Sequence, residues 1–217
     1  MELWIGITFA AAFLQNMRST LQKYLKGRMA TLGSTFTRFG FGLPFAALYF
    51  AFLAYGLDRP VPAANGDFAF WALIGAVSQI GATFLLVYLF SFRNFVVGTA
   101  YSRTEPAQAA ILAFIFFGAT ISFAAIAAIL ISIAGVMLIS LSRNDMGFGG
   151  LVRGLLTRTA LVGIASGTLF GLSAVSYRAA SLALAPSLPQ PDAIMQAAFT
   201  LVIVIAVQTV AMLVYML

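Results

Sequence analysis

Five charged side chains fall within or beside long apolar runs: Arg18, Arg38, Arg103, Glu105 and Arg178. A charge at the centre of a bilayer costs about 2.5–3.5 kcal/mol on insertion scales, so such residues usually face a bundle interior or a wet cavity. Arg18 and Arg178 come late in their runs, and Arg38 comes four residues into its own, so all three could instead reach the headgroups. Arg103 and Glu105 are two apart and point to different faces of a helix. Glu105 is the one carboxylate well inside an apolar run. Unpaired there it would hold a proton; beside an arginine it would be ionised. It is therefore a candidate for proton coupling or for one half of a structural ion pair. Pro106 follows it, removes a backbone donor and loosens the helix at that point. Tyr101 and Gln108 are seven apart, two helical turns, and would share a face. Gln15, Asn16 and Gln79 add further polar groups, each able to serve as an interhelical hydrogen bond.

The elements that position these groups follow from composition. Of 217 residues, 62% are hydrophobic and only 8% charged. Soluble domains carry about a quarter charged residues, so most of this surface must face lipid. About 20 helical residues cross the hydrocarbon core. Seven runs of that length are legible: Leu3–Lys23, Ser34–Gly56, Phe68–Phe90, Val96–Gly118, Ile121–Leu141, Arg158–Leu184 and Ala193–Leu217. They run continuously apolar, without the alternation of a membrane barrel, so helices are expected. The fold class is all-α: a polytopic membrane bundle of about seven transmembrane helices.

The chain has no cysteine and no histidine, which excludes disulfides, thiol nucleophiles, haem ligation and Cys/His zinc sites. No cofactor and no metal is expected. The net charge of +6 is spread singly over helix ends, which suits loops beside anionic lipid rather than nucleic acid. Asp58, Asp67, Asp145 and Asp192 have turn-forming neighbours and read as caps and turn residues. Gly163, Gly167 and Gly171 recur every four residues, a small-residue stripe that lets another helix backbone approach closely. Gly75, Gly81 and Ala82 read the same way. Positive residues are denser in the odd-numbered loops, which would place those loops in the cytoplasm.

Three stretches resemble the drug/metabolite transporter superfamily, EamA type. Thr35-Phe36-Thr37-Arg38-Phe39-Gly40-Phe41-Gly42-Leu43-Pro44 resembles its arginine-containing second helix. Thr104-Glu105-Pro106-Ala107-Gln108-Ala109-Ala110, followed by Gly118, resembles its fourth. Ile133-Ala134-Gly135-Val136-Met137-Leu138 resembles the end of its fifth, and Tyr177-Arg178 fits the start of a second repeat. Where the family often has Gly-Glu, Gly118 is followed here by Ala119, so no role of that glutamate is carried over.

The resemblance implies two inverted five-helix repeats and a central cavity. Residues 1–141 would form the first repeat, 142–157 a linker loop, and 158–217 the first two helices of a second repeat lacking its last three spans. A partner chain or a second copy would then complete the wall. The implied activity is secondary transport of small metabolites, amino acids or related compounds, by alternating access, in a bacterial inner (plasma) membrane. Arg38, Tyr101, Arg103, Glu105, Gln108 and Arg178 would line the cavity. Two other readings stay open: a non-catalytic membrane subunit, and a lipid-modifying membrane enzyme.

Overall fold

The computed structural model describes residues 3–92, 95–118, 120, 122–142 and 157–217. Each of the seven apolar runs is helical. In chain order the α-helices are α1 (Leu3–Lys26), α2 (Thr31–Gly40), α3 (Gly42–Ala51), α4 (Gly66–Leu89), α5 (Phe95–Ser102), α6 (Glu105–Phe117), α7 (Phe123–Ser142), α8 (Arg158–Ala183) and α9 (Ala193–Met216). The linker loop, with Arg143, Asp145 and Arg153, lies outside the described residues, as do Arg93 and Ala119.

Among the described residues, four stretches are long and apolar enough to cross a membrane: Thr31–Gly56, Gly66–Leu89, Arg158–Ser187 and Ala193–Met216. The first comprises α2, α3 and a π-helical turn, Phe52–Gly56. Its kink at Phe41 has a cause in Pro44, which has no N–H to offer the carbonyl four residues earlier, at Gly40. The fourth run is split into α5 and α6 by Arg103 and Thr104. Gly118 ends α6 in the left-handed conformation at φ 59° and donates its N–H to Phe114 O at 2.9 Å. This glycine stop is what separates the fourth run from α7.

The bundle is organised around α8. It lies along α4 on one side and against α5 and α6 on another, while α9 packs on α2, α3 and α4. The glycine stripe is the surface that meets α5 and α6. A Cβ on Gly163 would collide with the carbonyl oxygen of Gly98. One on Gly167 would stand 3.0 Å from Ser102 O, and one on Gly171 3.0 Å from the Ala109 nitrogen. Toward α4, Ser166 Oγ donates to Ala82 O at 2.9 Å and Tyr177 OH to Gly75 O at 3.0 Å. Small residues on both helices thus bring backbones close enough for hydrogen bonds in a setting where lipid gives no hydrophobic drive to association. Many apolar side chains of α1, α3 and α6 point outward, among them Phe9, Phe13, Phe45 and Phe114. Acyl chains suit such faces.

One end of the bundle is stitched through its loops. Asn65 Oδ1 accepts from Phe68 N at 2.8 Å, and its Nδ2 donates to Ala183 O at 2.7 Å. A single amide therefore caps the start of α4 and the end of α8, satisfying orphan groups on both. Ala63 N donates to Ser187 Oγ at 3.1 Å. Asp192 Oδ1 accepts from Ile194 N and Met195 N, capping α9. Arg59 Nη1 lies 2.9 and 2.8 Å from the two oxygens of Asp192. Asp58 takes φ 47° in the same loop, and Asp67 lies in the first turn of α4. The Met195 N–H holds the Asp192 carboxyl below its usual range, with the Arg59 guanidinium adding to it and desolvation acting the other way.

Two outcomes are expected. Gly163→Ala should lower stability by about 1–3 kcal/mol, because the new methyl meets backbone that cannot yield. Gly6→Ala and Gly135→Ala, where nothing lies within 4 Å, should be neutral or slightly stabilising. Thermal unfolding in detergent compares them; equal melting shifts at all three sites would contradict the packing. The second concerns Asp192. Its folded-state value is lowered, so its charge stabilises above the ordinary carboxylate range, and that contribution is lost as the pH falls from about 4 through the lowered value. Asp192→Asn keeps a capping side chain without the charge. Wild type should exceed it in stability at neutral pH and converge on it in acid, as read by melting curves from pH 7 downward.

Candidate functional site

Arg38 is held inside the bundle. Its Nη1 donates to Thr83 Oγ1 on α4 at 2.8 Å, and Thr83 is fully buried. The guanidinium carbon stands 5.6 Å from the ring centroids of both Phe39 and Phe170, within the range where an aromatic face attracts a cation. α2 can carry this charge inward because Ser34, Thr35 and Phe39, on the same side, are buried with it.

Arg38 borders a cavity of about 560 Å³ walled by α1, α2, α4, α8 and α9. Arg18 comes from α1 and Arg178 from α8. Three amides, Gln79, Gln196 and Gln208, join them with Tyr177 and Thr200. Phe39, Leu201, Val204 and Ile205 supply an apolar flank. Several polar groups are committed to structure. Gln79 Oε1 accepts from Ser173 Oγ, and Gln208 Nε2 donates to Tyr177 OH at 2.8 Å. By contrast Arg18 Nε and Gln196 Nε2 are buried with no hydrogen-bond partner among the described residues. Among those residues no carboxylate lines the cavity.

The break between α5 and α6 holds the other residues singled out above. Tyr101 is 3% exposed and packs with Ala100, Ala160 and Ile164. Thr104 Oγ1 donates to Tyr101 O at 2.7 Å, and Gln108 Nε2 donates to Thr104 Oγ1 at 2.7 Å. Because the helix is interrupted between them, no continuous two-turn register joins Tyr101 to Gln108. Arg103 is exposed, with Nη2 3.5 Å from Asn16 Oδ1 on α1. Glu105 opens α6 and is partly buried; Arg103, Arg38 and Arg18 are all close enough to act on its charge. Among the described residues the ion pair is Arg59 with Asp192, and Glu105 makes none.

Of the six residues read from the sequence, the structure brings Arg38 and Arg178 to the cavity. Tyr101, Arg103, Glu105 and Gln108 gather at the break beside α8. Arg178 also borders a second hollow of about 740 Å³, between α4, α6 and α8, with Trp71, Phe117 and Leu182. Sequence reasoning left Arg18 out of the set and missed Gln196, Thr200 and Gln208. A signal was present: 196, 200, 204 and 208 recur every four residues, one stripe along α9.

No curated protein and no solved structure matches this chain. The model of the EamA-like transporter family matches residues 2–141, which run from the start of α1 nearly to the end of α7. That span contains the kinked second run with Arg38 and the broken fourth run with Glu105 and Pro106. It covers well over half of the sequence, and the chain belongs to the EamA-like transporter family.

Proposed function

We infer that this protein is a secondary transporter of small metabolites, amino acids or related compounds, working by alternating access. One observation carries the reading: a cavity large enough for a small solute, edged by three arginines and three amides, inside a bundle of membrane-crossing helices. A charge within an apolar helix bundle is held where it contacts water, a partner or a solute. The cavity walls come from α1, α2 and α4 before the linker and from α8 and α9 after it. In this reading residues 1–141 form a first repeat and 158–217 the opening helices of a second, and the two line the cavity together. Rocking of one group against the other would expose a midplane site to each side in turn. We place such a carrier in a bacterial plasma membrane.

In this mechanism Arg38 and Arg178 orient the solute. Tyr101, Arg103 and Gln108 act from the break, fixing the start of α6 and hence Glu105. Glu105 is the coupling group. When ionised it offsets part of the positive field of Arg18 and Arg38; when protonated it leaves that field unopposed. Binding of a proton and binding of a solute at the arginines are then linked through charge, without direct contact.

Glu105→Gln fixes the neutral state. It should elute and melt like wild type, carry solute in reconstituted vesicles, and lose the pH dependence of flux over about pH 5 to 8. Counterflow of a panel of radiolabelled amino acids and organic acids reads this out. An unchanged pH profile in Glu105→Gln would remove Glu105 from the mechanism, and absence of flux for every compound by wild type would remove the carrier reading itself.

A further inference from the structure

We propose that the arginine-lined cavity selects organic anions, taking one acidic headgroup on Arg18, Arg38 and Arg178 and an apolar body along the Leu201–Ile205 face of α9. This rests on the transporter reading for its biological sense but on separate observations for its chemistry. The polar lining is dominated by donors. A guanidinium has five N–H donors and no acceptor. Among the described residues Arg38 has one hydrogen bond, to Thr83. The two buried, unpartnered side-chain atoms on lining residues, Arg18 Nε and Gln196 Nε2, are both donors. Buried donors lacking acceptors are costly, and the cost is removed by a ligand that brings acceptors.

An ammonium would bring three more donors and a like charge beside three cations. Among the described residues no carboxylate lines the cavity to receive it. The site therefore discriminates within the class of amino acids and related compounds: an acid without a free amine fits better than a zwitterion, and an amine does not fit. The apolar flank of Phe39, Leu201, Val204 and Ile205 favours an acid with a hydrocarbon or aromatic body over a small inorganic anion. The same headgroup chemistry is present in a soluble carboxylic acid and in an anionic lipid, and the test separates the two sources.

The full chain is placed in nanodiscs of phosphatidylcholine, and binding of tritiated N-acetylphenylalanine is measured. The competitors are its neutral amide, phenylalanine and phenethylamine. The acid should bind saturably. The amide should compete about tenfold more weakly or worse, the loss expected when charge-assisted hydrogen bonds are removed. Phenylalanine should fall between the acid and phenethylamine. Arg178→Gln, at an exposed position, should weaken the acid by a similar factor and melt like wild type; Arg38→Gln should do the same if it remains monodisperse. Nanodiscs containing phosphatidylglycerol decide the source. Loss of acid binding there, with lipid retained by wild type and released by Arg178→Gln in native mass spectrometry, identifies a lipid headgroup; undiminished binding identifies a soluble acid. The proposal is overturned if the amide or the amine competes as well as the acid, if Arg178→Gln binds the acid unchanged, or if neither the acid nor the lipid is held. Acid binding without flux would sink the carrier reading alone, whereas flux indifferent to solute charge would sink this one alone.

Discussion

The close approach of α8 to the interrupted fourth run is the contact on which the rest of the structure depends. A helix that breaks within a membrane frees backbone groups that lipid cannot satisfy, so the break must be buried in protein. Gly163, Gly167 and Gly171 provide that cover by presenting bare backbone to Gly98, Ser102, Glu105 and Ala109. A methyl at Gly163 would overlap the Gly98 carbonyl, and one at Gly167 or Gly171 would crowd the backbone of Ser102 or Ala109 at 3.0 Å. Side chains finish the job locally, since Ser102 and Thr104 hydroxyls take up the carbonyls of Thr99 and Tyr101. Only with this support can Glu105 stand at the start of a new helix inside the bundle.

The other side of α8 answers a different demand. Ser166, Ser173 and Tyr177 hydrogen-bond to α4, and Arg178, the residue after Tyr177, reaches the two hollows. One helix thus braces the break on its glycine face and lends a cation to the cavity. A displacement of α8 would be felt at both places.

Much of the fold was legible because membrane crossing imposes a length. Every apolar run of about 20 residues proved helical, and Gly118 stopped α6 where the sequence placed a break. The four-residue glycine period stated its own packing role. The internal geometry of the runs was less legible. Pro106 signalled a loosened helix, but the interruption falls at Arg103 and Thr104, which places Pro106 inside the first turn of α6, where its missing N–H costs nothing. That shift removes the register argument joining Tyr101 to Gln108. The cavity was legible only in part, because its lining depends on how five helices are rotated about their axes. Arg38 was found from its charge. Gln196, Thr200 and Gln208 are uncharged, in a run apolar enough to look like plain lipid anchor, and only the packing of α9 on α4 shows where their stripe faces.

The stitched end of the bundle bears on how such a cavity could exchange its contents. The cavity extends from Arg18 and Arg38 toward Arg178, Leu182, Ala193 and Gln196, and the last of these lie next to the loops tied by Asn65, Ser187 and the Arg59–Asp192 pair. Those ties are few and polar, with Asn65 and Ser187 exposed and the Arg59–Asp192 pair half-buried. Water can replace such hydrogen bonds when that end of the bundle parts. The ties on the glycine side of α8 are of the opposite kind: backbone against backbone, with no side chain to rearrange. A molecule built this way bends where hydrogen bonds are wet and replaceable, and it stays rigid where glycine has removed every intervening atom. That makes the loops at residues 57–65 and 184–192 the more yielding end of the bundle and the α8 contact with the broken helix its more rigid part.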